Sequence, residues 1–157
     1  MKDHLMTDPL SDAFRSAFRH HPAGVAILTA NTPDGPVALT VSSLFSISAE
    51  PPLVGMSLSR GSRVAEALLA VGSMVIHFPR YEDLDLATLC ATPGADRFGP
   101  DIDWESLPTG EPRYRQIGTW FASRASSRLA VPTTAFCSWI TSGMRRSQAA
   151  RPPGPVT

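Results

Sequence analysis

The sequence predicts a mainly β fold with flanking helices, an α+β chain in which strands outnumber helices. Three observations carry that expectation. Apolar stretches of strand length occupy residues 25–30, 37–47, 53–58 and 73–78, with Gly, Pro, Asp or Glu at their borders. Apolar residues recur at helical spacing in three places, residues 10–20, 64–70 and 83–91. The stretch 92–104, T-P-G-A-D-R-F-G-P-D-I-D-W, has no period and many turn formers, so it reads as a loop.

Each element has its own signals. Residues 10–20 place Leu10, Phe14, Ala17 and Phe18 on one helical face, with Ser11 and Asp12 at the start and Pro22 beyond the end. A strand follows at 25–30, then a turn at Pro33, Asp34 and Gly35, and a hairpin partner from Val37 onward. The runs 37–47 and 53–58 flank a stiff Ala49, Glu50, Pro51, Pro52 corner and read as two strands joined by a turn. V-A-E-A-L-L-A at 64–70 is a good helix former with Val64, Leu68 and Val71 on one face, and it stops at Gly72. The strand 73–78 is cut by Pro79. A short helix at 83–91 points Leu84, Leu86, Ala87 and Cys90 inward.

A chain of 157 residues is one domain's worth and buries about two-thirds of its unfolded surface. No apolar run approaches the ~20 residues that span a bilayer, and Met1, Lys2, Asp3 and His4 do not lead into a signal-peptide core. A cytoplasmic protein without membrane contact is therefore expected. Cys90 and Cys137 have no CxxC spacing and no histidine at ligand distance, so neither a disulfide framework nor a metal site is indicated. There is no P-loop and no GxGxxG, and no Ser-His-Asp order that would force a hydrolase. The zero net charge hides an asymmetry: all 14 acidic residues precede residue 112, whereas residues 112–157 carry seven arginines and no Asp or Glu. Such a basic end is the usual mark of nucleic-acid or membrane contact.

The informative stretch is 36–63. Ser59, Arg60, Gly61, Ser62 and Arg63 lead directly into the helix at 64–70. A helix start has unpaired N–H groups and a partial positive charge, so two hydroxyls and two guanidinium groups beside it read either as a phosphate seat or as a serine cap with solvated arginines. Upstream, Thr40, Val41, Ser42 and Ser43 place three hydroxyls in a strand that should be apolar. They read either as groups presented to a polar heterocycle or as an ordinary half-exposed strand. His77 is the one histidine in a strand near enough to join them, as a ligand contact or as a hydrogen-bonded structural residue.

T-V-S-S-L-F-S-I-S-A-E-P-P-L-V followed by S-L-S-R-G-S, and preceded by F-R-x-A-F-x-x-x-P-A-G-V-A-I-L-T-A, resembles the flavin reductase family with the FMN-binding split barrel, the reductase partners of two-component flavin monooxygenases. The resemblance spans about residues 10–128. It implies a split β-barrel, FMN or alternatively FAD at a homodimer interface, and NADH or NADPH as co-substrate. Reduced flavin would pass to a separate monooxygenase. It places Thr40, Val41, Ser42, Ser43 and Leu44 along the isoalloxazine and ribityl, Ser59, Arg60, Ser62 and Arg63 at the phosphate, and His77 near the cofactor. The segment 22–25 would lie close to the flavin ring, Phe98 and Trp104 would anchor the loop, and Arg97 would be a peripheral nucleotide contact. No side chain is assigned as acid or base, because flavin and nicotinamide carry the hydride chemistry themselves.

The resemblance stops near Pro132, which divides the chain into a reductase-like domain at 10–131 and a tail at 132–157. Relatives continue with a strand of the kind D-H-S-I-L-L-V, whereas this chain reads P-T-T-A-F-C-S-W-I-T-S-G-M-R-R. The codons of 132–140, read one base over, are compatible with D-H-S-I-L-L-V-D. A shifted reading frame would thus leave a disordered, arginine-rich tail and a barrel missing its last strands, with an exposed edge. Arg145, Arg146 and Arg151 would then be by-products of GC-rich codons rather than phosphate ligands. Two rivals to an active reductase follow: a flavin-binding but catalytically impaired protein, and, far behind it, a nucleic-acid-binding module.

Overall fold

The computed structural model describes residues 24–131 and 133–146, together with positions 9, 12, 13, 16 and 17. Nine strands and two helices fill that span in the order β1 (Ala26–Thr32), β2 (Gly35–Val41), β3 (Phe45–Ala49), β4 (Pro52–Ser59), α1 (Arg63–Ala70), β5 (Ser73–His77), α2 (Leu84–Ala91), β6 (Trp104–Ser106), β7 (Pro112–Tyr114), β8 (Thr119–Val131) and β9 (Thr134–Arg146). A 3-10 turn at Tyr81–Asp83 precedes α2. The expected N-terminal helix falls mostly outside the described residues; Asp12, Ala13, Ser16 and Ala17 within it are helical, and Ala17 is exposed rather than inward. No helix among the described residues is long and apolar enough to cross a membrane.

Seven strands form one antiparallel sheet in the order β2-β1-β5-β8-β9-β4-β3, and β6 pairs with β7 in a separate hairpin. The β1–β2 turn closes as its residues dictate: Thr32 Oγ1 donates to Gly35 O at 2.8 Å, and Gly35 takes φ 115°, which only glycine adopts cheaply. The run 37–47 is not one strand. It breaks at Ser42, Ser43 and Leu44, and its halves, β2 and β3, lie at opposite edges of the sheet. The four Cα steps from Val41 to Phe45 reach about 15 Å at most. The sheet is therefore curled until its two edges nearly meet, which is the split-barrel shape, with a seam between β2 and the 56–59 end of β4 that β3 does not pair with.

Strand alternation sorts the two cores. Ala26, Leu28 and Ala30 of β1 face the barrel interior with Met56, Leu58, Met74, Ile76, Cys137 and Trp139, and α1 closes that core with Ala65, Leu68 and Leu69. Ile27 faces the other way, onto Leu86, Ala87 and Cys90 of α2, Tyr114 and Ile117. Leu84 was expected inward with them; it sits at the first position of α2 and is 56% exposed. Phe98 packs edge-on against Trp104 at 5.1 Å and stacks on Tyr114 at 5.4 Å, so the 92–104 loop is anchored by those rings, as expected.

The largest correction concerns the tail. Residues 134–146 are not disordered: β9 pairs along Leu53–Ser59 of β4 and along β8, in the middle of the sheet. The reason lies in an alternation that arginine and proline content obscured. Ala135, Cys137 and Trp139 point inward and are buried, while Phe136 points out. At least one of the strands expected to be missing is thus present, while among the described residues β2 and β3 remain the two unjoined edges. Residues 147–157, including Arg151, lie outside the described residues. The basic end is also less free than its composition suggests, since Arg113 and Arg115 bond Glu105 and Asp103.

Candidate functional site

The seam between β2 and β4 opens into a cleft of about 280 Å³. Its walls are Thr40, Ser42 and Ser43 on one side and Ser57, Ser59 and Ser62 on the other, over a floor that includes Val41, Leu58 and Ala65. The two hydroxyl-bearing stretches picked out in the sequence, 40–43 and 59–62, therefore meet across one cavity. Ser57 was not picked out, although its spacing of two from Ser59 on a strand puts both on the same face.

The start of α1 forms one end of the cleft. Ser62 caps the helix from an extended backbone (φ −98°, ψ 130°), and its Oγ accepts from Ala65 N–H at 3.3 Å. The N–H groups of Arg63 and Val64 precede that capped amide and have no acceptor one turn earlier in the helix. Cap and seat are thus compatible: the Ser62 hydroxyl accepts from the helix and still has a proton to donate. Arg60 and Arg63 are exposed beside it; Arg60 Nε lies 3.8 Å from Glu66 Oε1, an exposed pair worth little in water. The Arg60 N–H donates to Thr133 O at 3.1 Å, which pins the 59–62 loop to the β8–β9 turn. Hydroxyls, a helix start and two nearby cations over an apolar floor suit a ligand with a phosphate at one end and a partly apolar ring system at the other.

The remaining expected residues divide. Thr40 lines the cleft, but its hydroxyl donates to Ala87 O of α2 at 2.6 Å. The Ser43 hydroxyl donates to Ser57 O at 2.7 Å and accepts from Ser57 N–H at 3.3 Å. Ser42 and Ser59 are exposed and make no side-chain hydrogen bond among the described residues. Leu44 lines the next cavity along the link, an apolar cleft of about 290 Å³ with Phe45, Val54, Phe78 and Phe121. Of the segment 22–25, Gly24 and Val25 are described, and Val25 is 45% exposed.

His77 does not reach the cleft. It is fully buried; Nε2 accepts from Tyr114 N–H at 3.0 Å, so Nδ1 carries the proton and donates to Ile27 O at 3.0 Å. Burial pushes its pKa down from 6.5 to about 4, the Ile27 carbonyl pulls weakly the other way, and the ring is neutral near neutrality. Arg97 is likewise engaged by the protein, donating to Ala38 O at 2.7 Å and Thr92 O at 3.0 Å. Tyr114, unremarked in the sequence, organises this flank: its hydroxyl donates to Arg97 O at 2.8 Å and lies 3.4 Å from Cys90 Sγ.

Fold and cleft together define a curled antiparallel-sheet protein with a hydroxyl-lined, phosphate-compatible seam. The profile of the flavin reductase like domain matches residues 18–153, across β9 as well as the seam, and the chain belongs to that family. An NADH:FMN oxidoreductase of Rhodococcus qingshengii is 35% identical over 127 residues, which is 81% of this chain and 66% of that protein; the match thus leaves part of the relative uncovered. Among solved structures, a flavin reductase domain protein from Arthrobacter sp. FB24 superposes with a TM-score of 0.82 at 27% identity, covering 88% of this chain and 86% of the other. The styrene monooxygenase flavin reductase of Pseudomonas putida S12 does so with 0.75 at 25% identity and 87% of each.

Proposed function

We propose that this chain is an NAD(P)H-dependent flavin reductase that supplies reduced flavin to a separate monooxygenase. The observation that carries the reading is the meeting of Ser42 and Ser43 with Ser59 and Ser62 across one cleft at the start of α1. FMN suits it best. Its phosphate would take the α1 N–H groups, the Ser59 and Ser62 hydroxyls and the Arg60 and Arg63 guanidiniums, a charge-assisted set that riboflavin cannot use. FAD carries the same half. Thr40, Val41, Ser42, Ser43 and Leu44 would flank the ribityl and ring. The flavin supplies the hydride-accepting chemistry when bound; the protein orients it and screens the reaction from water, and no side chain serves as acid or base. The Rhodococcus relative is named for NADH and FMN and the Pseudomonas structure for a monooxygenase reductase, and both support the reading.

The protein would work in the cytoplasm as a homodimer. An apolar ridge on the outer sheet face supports the dimer: Phe45 stacks on Phe136 at 5.8 Å, Leu129 lies opposite Phe136, and Phe45, Ile47 and Leu129 are 46%, 43% and 63% exposed. The decisive experiment is an FMN titration followed by NADH and NADPH oxidation. Saturable, flavin-dependent oxidation is expected. Quenched flavin fluorescence without oxidation would make the chain a flavin-binding, catalytically impaired reductase, and neither signal would end the reading.

A further inference from the structure

The β3–β4 ladder pairs Phe45 with Gly55. Continued by two residues, the same register brings Ser43 opposite Ser57, but there the chain has already turned away toward β2. The Ser43 side chain takes over the ladder position: one hydroxyl both donates to Ser57 O and accepts from Ser57 N–H. Serine is suited to this substitution, since its hydroxyl is donor and acceptor on a short stem and competes readily with main-chain groups. Across the seam, β2 and β4 are not hydrogen-bonded as neighbours. The Ser43–Ser57 pair therefore ties the link between the two sheet edges to the far wall of the cleft.

Resting on the flavin-binding reading above, we propose that Ser43 is a positioning residue, a clasp that sets the width of the seam cleft, and that its own hydroxyl is spent on that clasp while those of Ser42, Ser59 and Ser62 face the ligand. Ser43 would lie along the flavin, but its hydroxyl would act through the main chain of Ser57 and not by a hydrogen bond to the ring. Losing the clasp would leave the Ser57 N–H and C=O to water and free the Ser42 wall to move.

The test uses Ser43→Ala, with Ser43→Thr to restore the hydroxyl and Ser57→Ala to keep the main-chain partner. Amide exchange at residue 57 in flavin-free protein should rise by about tenfold in Ser43→Ala, return toward wild type in Ser43→Thr and stay slow in Ser57→Ala. The KM for FMN should rise about fivefold to tenfold in Ser43→Ala with kcat at saturating FMN within about twofold, and Ser43→Thr should recover it. Unchanged exchange at residue 57 overturns the clasp whatever flavin does. Faster exchange with an unchanged KM overturns its role in setting the cleft. Failure of the wild-type chain to bind flavin would sink the functional reading instead, and the exchange data would still decide the clasp.

Discussion

Two flanks of the same sheet turn polar side chains off β-strands and use them differently. On the α2 side, Thr29, Thr40 and His77 each find main-chain partners, namely Pro112 O, Ala87 O, and Ile27 O with Tyr114 N–H. On the α1 side, Ser42 and Ser59 have none among the described residues and open onto a cleft. The difference is one of packing, because α2, the β6–β7 hairpin and, for His77, the neighbouring strand β1 bring main-chain partners within reach of the first set. A polar residue in a strand is thus a candidate ligand contact only where the fold leaves it no carbonyl to bind.

The comparison is broken most directly at His77. Replacing it with Ala would leave a cavity and strand a buried carbonyl and a buried N–H, costing about 3 kcal/mol or more of unfolding free energy. FMN affinity of the protein that still folds should be nearly unchanged. A variant with wild-type stability in denaturant titration and lost flavin binding would place His77 in the site and erase the distinction between the flanks.

A pH titration sharpens the same point. The folded pKa of His77 lies at about 4, below its ordinary 6.5, so the unfolded chain binds the proton first. Stability from this group is complete above about pH 6.5 and is lost as pH falls toward 4, by an amount on the order of 3 kcal/mol. The wild type minus His77→Gln difference in unfolding free energy should show that slope. A flat difference across the window would mean the ring is not held neutral by burial.

On the cleft side, Arg60→Ala with Arg63→Ala should weaken FMN by about tenfold or more while riboflavin affinity and protein stability hardly move, since both side chains are exposed and charged hydrogen bonds to phosphate are the stronger kind. Equal loss for riboflavin would show that the arginines act on the ring or on the loop and not on a phosphate.

These contrasts also show how far the sequence could be read. The strands at 25–30, 53–58 and 73–78, the α1 boundary and the anchoring roles of Phe98 and Trp104 were legible because period, capping and turn chemistry are local. The break of 37–47 at Ser42 was not, since alternation continues through it and only the sheet order reveals that its halves belong to opposite edges. Nor was the fate of Thr40, whose acceptor lies 47 residues away in α2. β9 was obscured for a different reason: the arginine- and proline-rich composition of the tail masks the alternation of Ala135, Cys137 and Trp139, which the core of this barrel needs. Residue type proposed the site, and long-range packing decided which members stayed in it.

The smallest expected effect separates two uses of one side chain. Ser62 both caps α1 and faces the cleft, so Ser62→Ala should cost about 1 kcal/mol of stability through the lost Ala65 N–H bond and also weaken FMN. Ser62→Asp is the more telling change. A carboxylate caps as well as a hydroxyl and suits the positive end of the helix, so stability should be kept or raised slightly. The same charge set against a phosphate should lower FMN affinity below that of Ser62→Ala, while riboflavin binding is spared. Calorimetric unfolding beside FMN and riboflavin titrations reads both effects, and tight FMN binding by a stable Ser62→Asp protein would mean that no phosphate sits at the start of α1.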